Sequence, residues 1–188
     1  MWILSNLHLE YAPLRSPLEP PDADVCIVAG DLCRGIDHGV RWLAEHIAPS
    51  MPCVYVAGNH EFYRGSIKEG LEAVRAAAKD SPGVHFLEND EVTIGGTRFT
   101  GTTLWTDFRI EGPHEPAMDH ARARMNDYRK IAWQKRTWQR YLPVHAYRLY
   151  QDSRQTFHVN SARILFRQWS SRVTCRIPAQ FWSASRAT

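Results

Sequence analysis

Cysteine is scarce in this sequence, and none of it is spaced for a metal or redox motif. The four residues, Cys26, Cys33, Cys53 and Cys175, form no C-x-x-C pair, which argues against a structural zinc site or a disulfide framework. Cys26 and Cys53 lie inside apolar runs, where a free thiol behaves as a small hydrophobe. Membrane-length apolar runs are missing as well: no stretch approaches the ~20 residues of a spanning helix. The N-terminus reads directly into an apolar segment without a signal-peptide pattern. The expected location is therefore cytoplasmic, with no membrane partner. Dense runs of Lys and Arg are also absent, and a net charge of +3 over 188 residues is too small to argue for nucleic acid. What is left, 44% hydrophobic and 23% charged residues, is the composition of an ordinary globular domain with a sizeable core.

Three short apolar runs carry the information. They read Trp2-Ile3-Leu4-Ser5-Asn6-Leu7-His8, Val25-Cys26-Ile27-Val28-Ala29-Gly30-Asp31, and Cys53-Val54-Tyr55-Val56-Ala57-Gly58-Asn59-His60-Glu61. Continuous apolar runs of this length predict strands buried on both faces. Folds built from such strands gather ligands at the carboxyl ends, where the loops begin. His8, Asp31, Asn59 and His60 should then meet at one sheet edge. Two imidazoles, a carboxylate and an amide suit a divalent cation such as Mn, Fe or Zn.

The rest of the chain alternates. A Pro- and acid-rich loop spans Pro13 to Asp24. Val40, Leu43, Ala44 and Ile47 predict a helix over 37–48, and Ile67, Leu71, Val74 and Ala78 predict another over 66–79. The Asp80-Ser81-Pro82-Gly83 turn ends it. Strands are expected at Val84 to Leu87, Glu91 to Ile94 and Thr97 to Gly101, with Gly95-Gly96 as the hairpin turn between the last two. Helices are expected over Met118 to Tyr128 and from about Val144 to Phe166. Between them, Lys130 to Tyr141 is basic and aromatic; a helical lid or a partly exposed packing surface is preferred there over base stacking. Alternation of this kind implies an α/β layered sandwich.

In order, Asn6-Leu7-His8, Gly30-Asp31 and Gly58-Asn59-His60-Glu61 resemble the D-x-H, G-D and G-N-H-E motifs of the calcineurin-like metallophosphoesterases. The resemblance continues through Gly101-Thr102-Thr103-Leu104-Trp105 and Met125-Asn126-Asp127-Tyr128 to roughly Arg154. It implies the α/β/β/α sandwich of that family and hydrolysis of a phosphate mono- or diester. The cofactor it implies is a pair of divalent metal ions about 3.5–4 Å apart. On this resemblance Asp31 bridges the two metals, His8 and the residue at position 6 bind the first, and Asn59 gives its amide oxygen to the second. His60 faces the leaving group as its acid, and Glu61 orients an imidazole. Phe62 and Tyr63 either wall the pocket or pack in the core.

Two departures stand out. Asn6 replaces the family's Asp, which loses a negative charge and leaves a weaker donor; a turn residue tolerant of unusual backbone angles is the competing reading. The family's later T-H-H and G-H-x-H blocks cannot be found, and His38, His46, His85, His114, His120, His145 and His158 have no context to replace them. After Asp152 there is no Asp or Glu, yet six Arg remain. The expectation is an incomplete domain over 1–166, truncated at its C-terminal side, and an atypical basic tail over 167–188, frameshifted or disordered. Two functions stay open: a phosphoesterase of impaired activity, or an inactive fragment with a binding or vestigial role.

Overall fold

The computed structural model describes residues 1–160 apart from 13, 15–17 and 111. The expectations for the end of the last helix and for the 167–188 tail lie outside the described residues. The three apolar runs form strands β1 (Trp2–Leu4), β2 (Cys26–Ala29) and β3 (Cys53–Val56), joined by β4 (Val84–Phe86). They pair in parallel in chain order, β1-β2-β3-β4. Each parallel step needs a crossover. Helix α1 (Ile36–His46) connects β2 to β3, and α2 (Ile67–Lys79) connects β3 to β4.

Because alternate side chains of a strand face opposite ways, the sheet sorts its residues into two cores. Cys26, Val28, Cys53 and Tyr55 pack with Val40, Leu43 and Ile47 of the first crossover and with Ile67 and Val74 of the second. Val25, Ile27, Val54 and Val56 pack instead with Leu87, Phe99, Val92 and Ile94. The last three belong to an antiparallel hairpin of β5 (Asp90–Ile94) and β6 (Thr97–Gly101), which turns at Gly95 and Gly96, both at positive φ. The hairpin is a second β layer, as the layered α/β sandwich requires. It packs tightly: a Cβ on Gly101 would stand 2.6 Å from Val56 Cγ1 and 2.7 Å from Leu87 Cβ. Cys26 and Cys53 are free, buried and adjacent in register, consistent with service as small hydrophobes.

Two expected elements differ. The helix expected over Met118 to Tyr128 is instead α3 (His114–Arg124) followed by the short α4 (Asp127–Lys130). The break falls at Met125, which is extended (φ −81°, ψ 140°). Helical propensity yields there to burial of Asp127 and Tyr128, and the Arg129 guanidinium donates to the Arg124 carbonyl and to Asn126 Oδ1 across the gap. Lys130 to Tyr141 holds no helical lid. It forms an antiparallel ribbon, β7 (Ala132–Gln134) and β8 (Gln139–Arg140). Its turn is tied to α2, because the Lys135 and Arg136 amides both donate to the Glu69 carboxylate (2.9–3.1 Å). Trp133 stacks on His145 of α5 (Pro143–Asn160), with ring centroids 4.5 Å apart. The packing-surface part of the expectation therefore holds. No helix among the described residues is long and apolar enough to cross a membrane.

Candidate metal centre

The loops after β1 and β2 lie side by side because their backbones continue the sheet's pairing past the strand ends. Asn6 N donates to Gly30 O (3.2 Å), His8 N to Asp31 O (3.0 Å) and Leu9 N to Leu32 O (2.9 Å). Asn6, His8 and Asp31 all take positive φ, at 56°, 49° and 51°. Asn and Asp tolerate this region better than other non-glycine residues, yet three such positions in adjoining loops mark the strain that clusters at functional sites. One ligand atom each from His8, Asp31 and His60 falls within 4.8 Å of the others, and the two imidazole centroids are 4.4 Å apart.

The surrounding bonds fix these groups. Asp31 is 3% exposed, and its Oδ1 accepts from the His60 backbone amide (3.1 Å). Burial holds its carboxyl above the usual carboxylate range, and the nearby Asp127 adds to this against the opposing pull of His60 and His8. Asn59 donates through Nδ2 to Asp127 Oδ1 (2.8 Å) and to Tyr63 Oη (3.1 Å); Tyr63 Oη in turn donates to the same Asp127 oxygen (2.8 Å). The amide nitrogen of Asn59 is thereby held toward Asp127, leaving Oδ1 as the atom suited to a cation. Tyr63 stacks on His60 at 4.4 Å, whereas Phe62 is packed in the core beside Gly70. Asn6 is exposed and donates from Nδ2 to Ser5 Oγ (2.8 Å).

Glu61 has a different task from the expected one of orienting an imidazole. Its carboxylate, 2% exposed, accepts from the backbone amides of Asp31 (3.1 Å), Leu32 (2.8 Å) and Gly58 (2.9 Å) and from Tyr55 Oη (3.0 Å). It is the post that holds the second and third loops together. Burial and the charge of Asp31 push its pKa up to about 8, against the pull of those donors.

Sequence reasoning missed two residues of the site. Glu10, on the turn closed by Tyr11 N to His8 O (2.9 Å), accepts from His60 Nδ1 at 2.8 Å and lies 3.6 Å from His8 Nδ1. Burial would raise its pKa, but the His60 hydrogen bond and the charges of His60 and His8 outweigh burial and hold it low. Asp127, 4% exposed, reaches the site from α4. Its segment belonged to the family-like stretch, which was the available signal; Glu10 offered only its place two residues past His8. Of the other histidines, His114 stacks on Tyr147 and His145 on Trp133, away from the cluster.

A model of the calcineurin-like phosphoesterase family matches residues 4–169. The chain belongs to that family. Among solved structures it is similar in fold to a phosphopantetheinyl hydrolase from Mycobacterium tuberculosis, at 20% identity and a TM-score of 0.59. The match covers 85% of this chain and 62% of that one, so the calcineurin-like chain described here spans less than two thirds of its neighbour's length. Comparison with curated proteins returns no match.

The donor set fits a divalent cation. A buried carboxylate and two imidazoles converge, and His8 Nδ1 and Glu10 Oε2 are buried with no hydrogen-bond partner. Buried polar atoms are rarely left in that state without an ion, a water or a chemical role.

Proposed function

We propose that the chain is a metal-dependent phosphoesterase acting on a phosphate mono- or diester, with turnover limited by an incomplete set of metal ligands. The observation that carries this reading is the convergence of His8, Asp31 and His60. Asp31 is the anionic donor suited to bridging, His8 and Asn59 the neutral donors on either side, and Asn6 a weakened ligand at the first position. When bound, divalent metal ions of this family's kind polarise the phosphoryl oxygens and supply a hydroxide nucleophile near neutral pH. The protein's own part is positioning and proton transfer. His60, its Nδ1 engaged by Glu10, keeps its other ring nitrogen for the departing oxygen, which it protonates as a general acid. Tyr63 stacked on the ring and Glu61 beneath the loops hold that geometry.

A second reading, an inactive member with a binding role, is favoured by one specific observation. Among the described residues there is a single cluster of His, Cys, Asp and Glu able to hold an ion, and position 6 is Asn. The test is hydrolysis of nitrophenyl phosphate mono- and diesters, and of a phosphopantetheinyl ester after the structural neighbour's name, with and without Mn. Metal-dependent turnover lost in both His8→Ala and Asp31→Ala supports the first reading. Mn bound weakly or not at all, without any turnover, supports the second.

A further inference from the structure

The centre as read so far is short of charge. For a dication, Asp31 is the one anionic donor among His8, Asp31, Asn59 and Asn6, and Asn6 stands where a carboxylate is expected. A buried carboxylate nevertheless lies against the cluster. The turn after His8 folds back on itself and puts Glu10 between the two imidazoles, with Oε1 2.8 Å from His60 Nδ1 and 3.6 Å from His8 Nδ1. Its side chain is 8% exposed. The His60 contact is a normal hydrogen bond, whereas the His8 contact is too long to be one.

What remains unsatisfied is specific. Glu10 Oε2 and His8 Nδ1 are both buried and both without a hydrogen-bond partner. A carboxylate oxygen and an imidazole nitrogen cannot satisfy each other unless the ring nitrogen carries a proton within reach. A cation between them satisfies both. Metal–nitrogen and metal–oxygen bonds of about 2.0–2.2 Å put neighbouring donors roughly 3–3.5 Å apart; the 3.6 Å from His8 Nδ1 to Oε1, the oxygen bound to His60, places the carboxyl group just beyond that range, with its unsatisfied Oε2 on the same carbon.

We propose that Glu10 is an anionic ligand of the cation held by His8 and Asp31, supplying from position 10 the charge that Asn6 withholds at position 6. The proposal rests on the metal-dependent reading above. One Glu10 oxygen accepts from His60, and the other is free for the cation. With Asp31 and Glu10 together, a single dication is neutralised; with Asp31 alone, a net positive charge is left in a buried site, which is costly.

The test is Mn binding to the full chain by calorimetry, with the Mn electron paramagnetic resonance signal as an independent readout. Glu10→Gln, nearly isosteric, is expected to weaken Mn binding at least tenfold. Adding Asn6→Asp in the Glu10→Gln background is expected to recover most of the loss, because the charge returns to the same ion from the neighbouring position. If the Gln variant does not fold by circular dichroism, Glu10→Asp carries the test: it keeps the charge but withdraws the oxygens, and it should bind severalfold more weakly. Unchanged Mn affinity in the folded Glu10 variant, with binding still lost in His8→Ala, overturns the proposal and leaves Glu10 as a partner of His60 only. Absence of Mn binding in the unaltered chain overturns the reading beneath it.

Discussion

Removing the Glu61 carboxylate should undo the loops of the site and much of the fold's stability together. Four donors end on that group: the amides of Asp31, Leu32 and Gly58, and Tyr55 Oη. Each buried donor left unpaired costs about 1–3 kcal/mol. For Glu61→Ala, four such losses at the low end, where water enters the vacated space, give ~4 kcal/mol. That is a large share of the roughly 5–15 kcal/mol that holds a domain together. At about 2–4 °C per kcal/mol for a chain of this size, the melting temperature should fall by roughly 8–16 °C. Glu61→Gln keeps one acceptor oxygen and turns an amide N–H₂ toward the other two donors, so about half that loss is expected. Tyr55→Phe removes a single donor and should cost about 1 kcal/mol. In the Glu61→Ala background it should cost almost nothing, since its partner is already gone. Thermal and urea melts of the unaltered protein and the four variants check the series. A Glu61→Ala melt within 2 or 3 °C of the unaltered protein would refute the claim that one side chain braces both loops.

Three further outcomes are expected. Asn6→Asp should tighten Mn binding yet restore little phosphodiesterase turnover, because on the proposed reading position 6 is not the sole gap in the ligand set; strong turnover that disappears again with His60→Ala would reverse this. The Lys135 and Arg136 amide resonances should titrate with a midpoint near 2, since hydrogen bonds from Ser66, Arg136 and Lys135 hold the Glu69 pKa down at about 2. A lowered carboxylate pKa stabilises above the unfolded value of 4.5, so the ribbon's anchorage is lost as pH falls from there toward 2; a midpoint above 4 would contradict the anchoring. Gly39→Ala should destabilise by about 1–3 kcal/mol, because its Cβ would stand 2.6 Å from Tyr55 Oη and displace that hydroxyl from Glu61. Tyr55→Phe should relieve part of the loss in the double variant, and strict additivity in denaturant melts would count against the coupling.

The strands were legible because burial on both faces writes itself as an unbroken apolar run, and Trp2 to Leu4, Cys26 to Ala29 and Cys53 to Val56 have that form. The motif residues were legible because His8, Asp31, Asn59 and His60 each follow such a run by a few positions. The 130–141 ribbon was not, since its residues show no alternation and its strands are fixed from outside, by Glu69 and by the Trp133–His145 stack. Helical propensity across Met118 to Tyr128 misled because a tertiary bond, Asp127 to Asn59, overrides it. Glu10 was invisible for a related reason: which way a turn residue points is set by the φ of His8, and no spacing rule encodes that.

The strand order has a consequence for how the site comes into being. Strands β1, β2 and β3 are neighbours in space in the order in which they are made, and their loops carry Asn6, His8, Glu10, Asp31, Asn59, His60, Glu61 and Tyr63. A chain leaves the ribosome N-terminus first. By the time residue 63 has left the ribosome, all but one of the side chains of the centre exist on a single growing edge. The exception is Asp127, 68 residues beyond Asn59. Until it arrives, the Asn59 amide can turn either face to the site, so α4 supplies a late clasp for a pocket whose other side chains are made first.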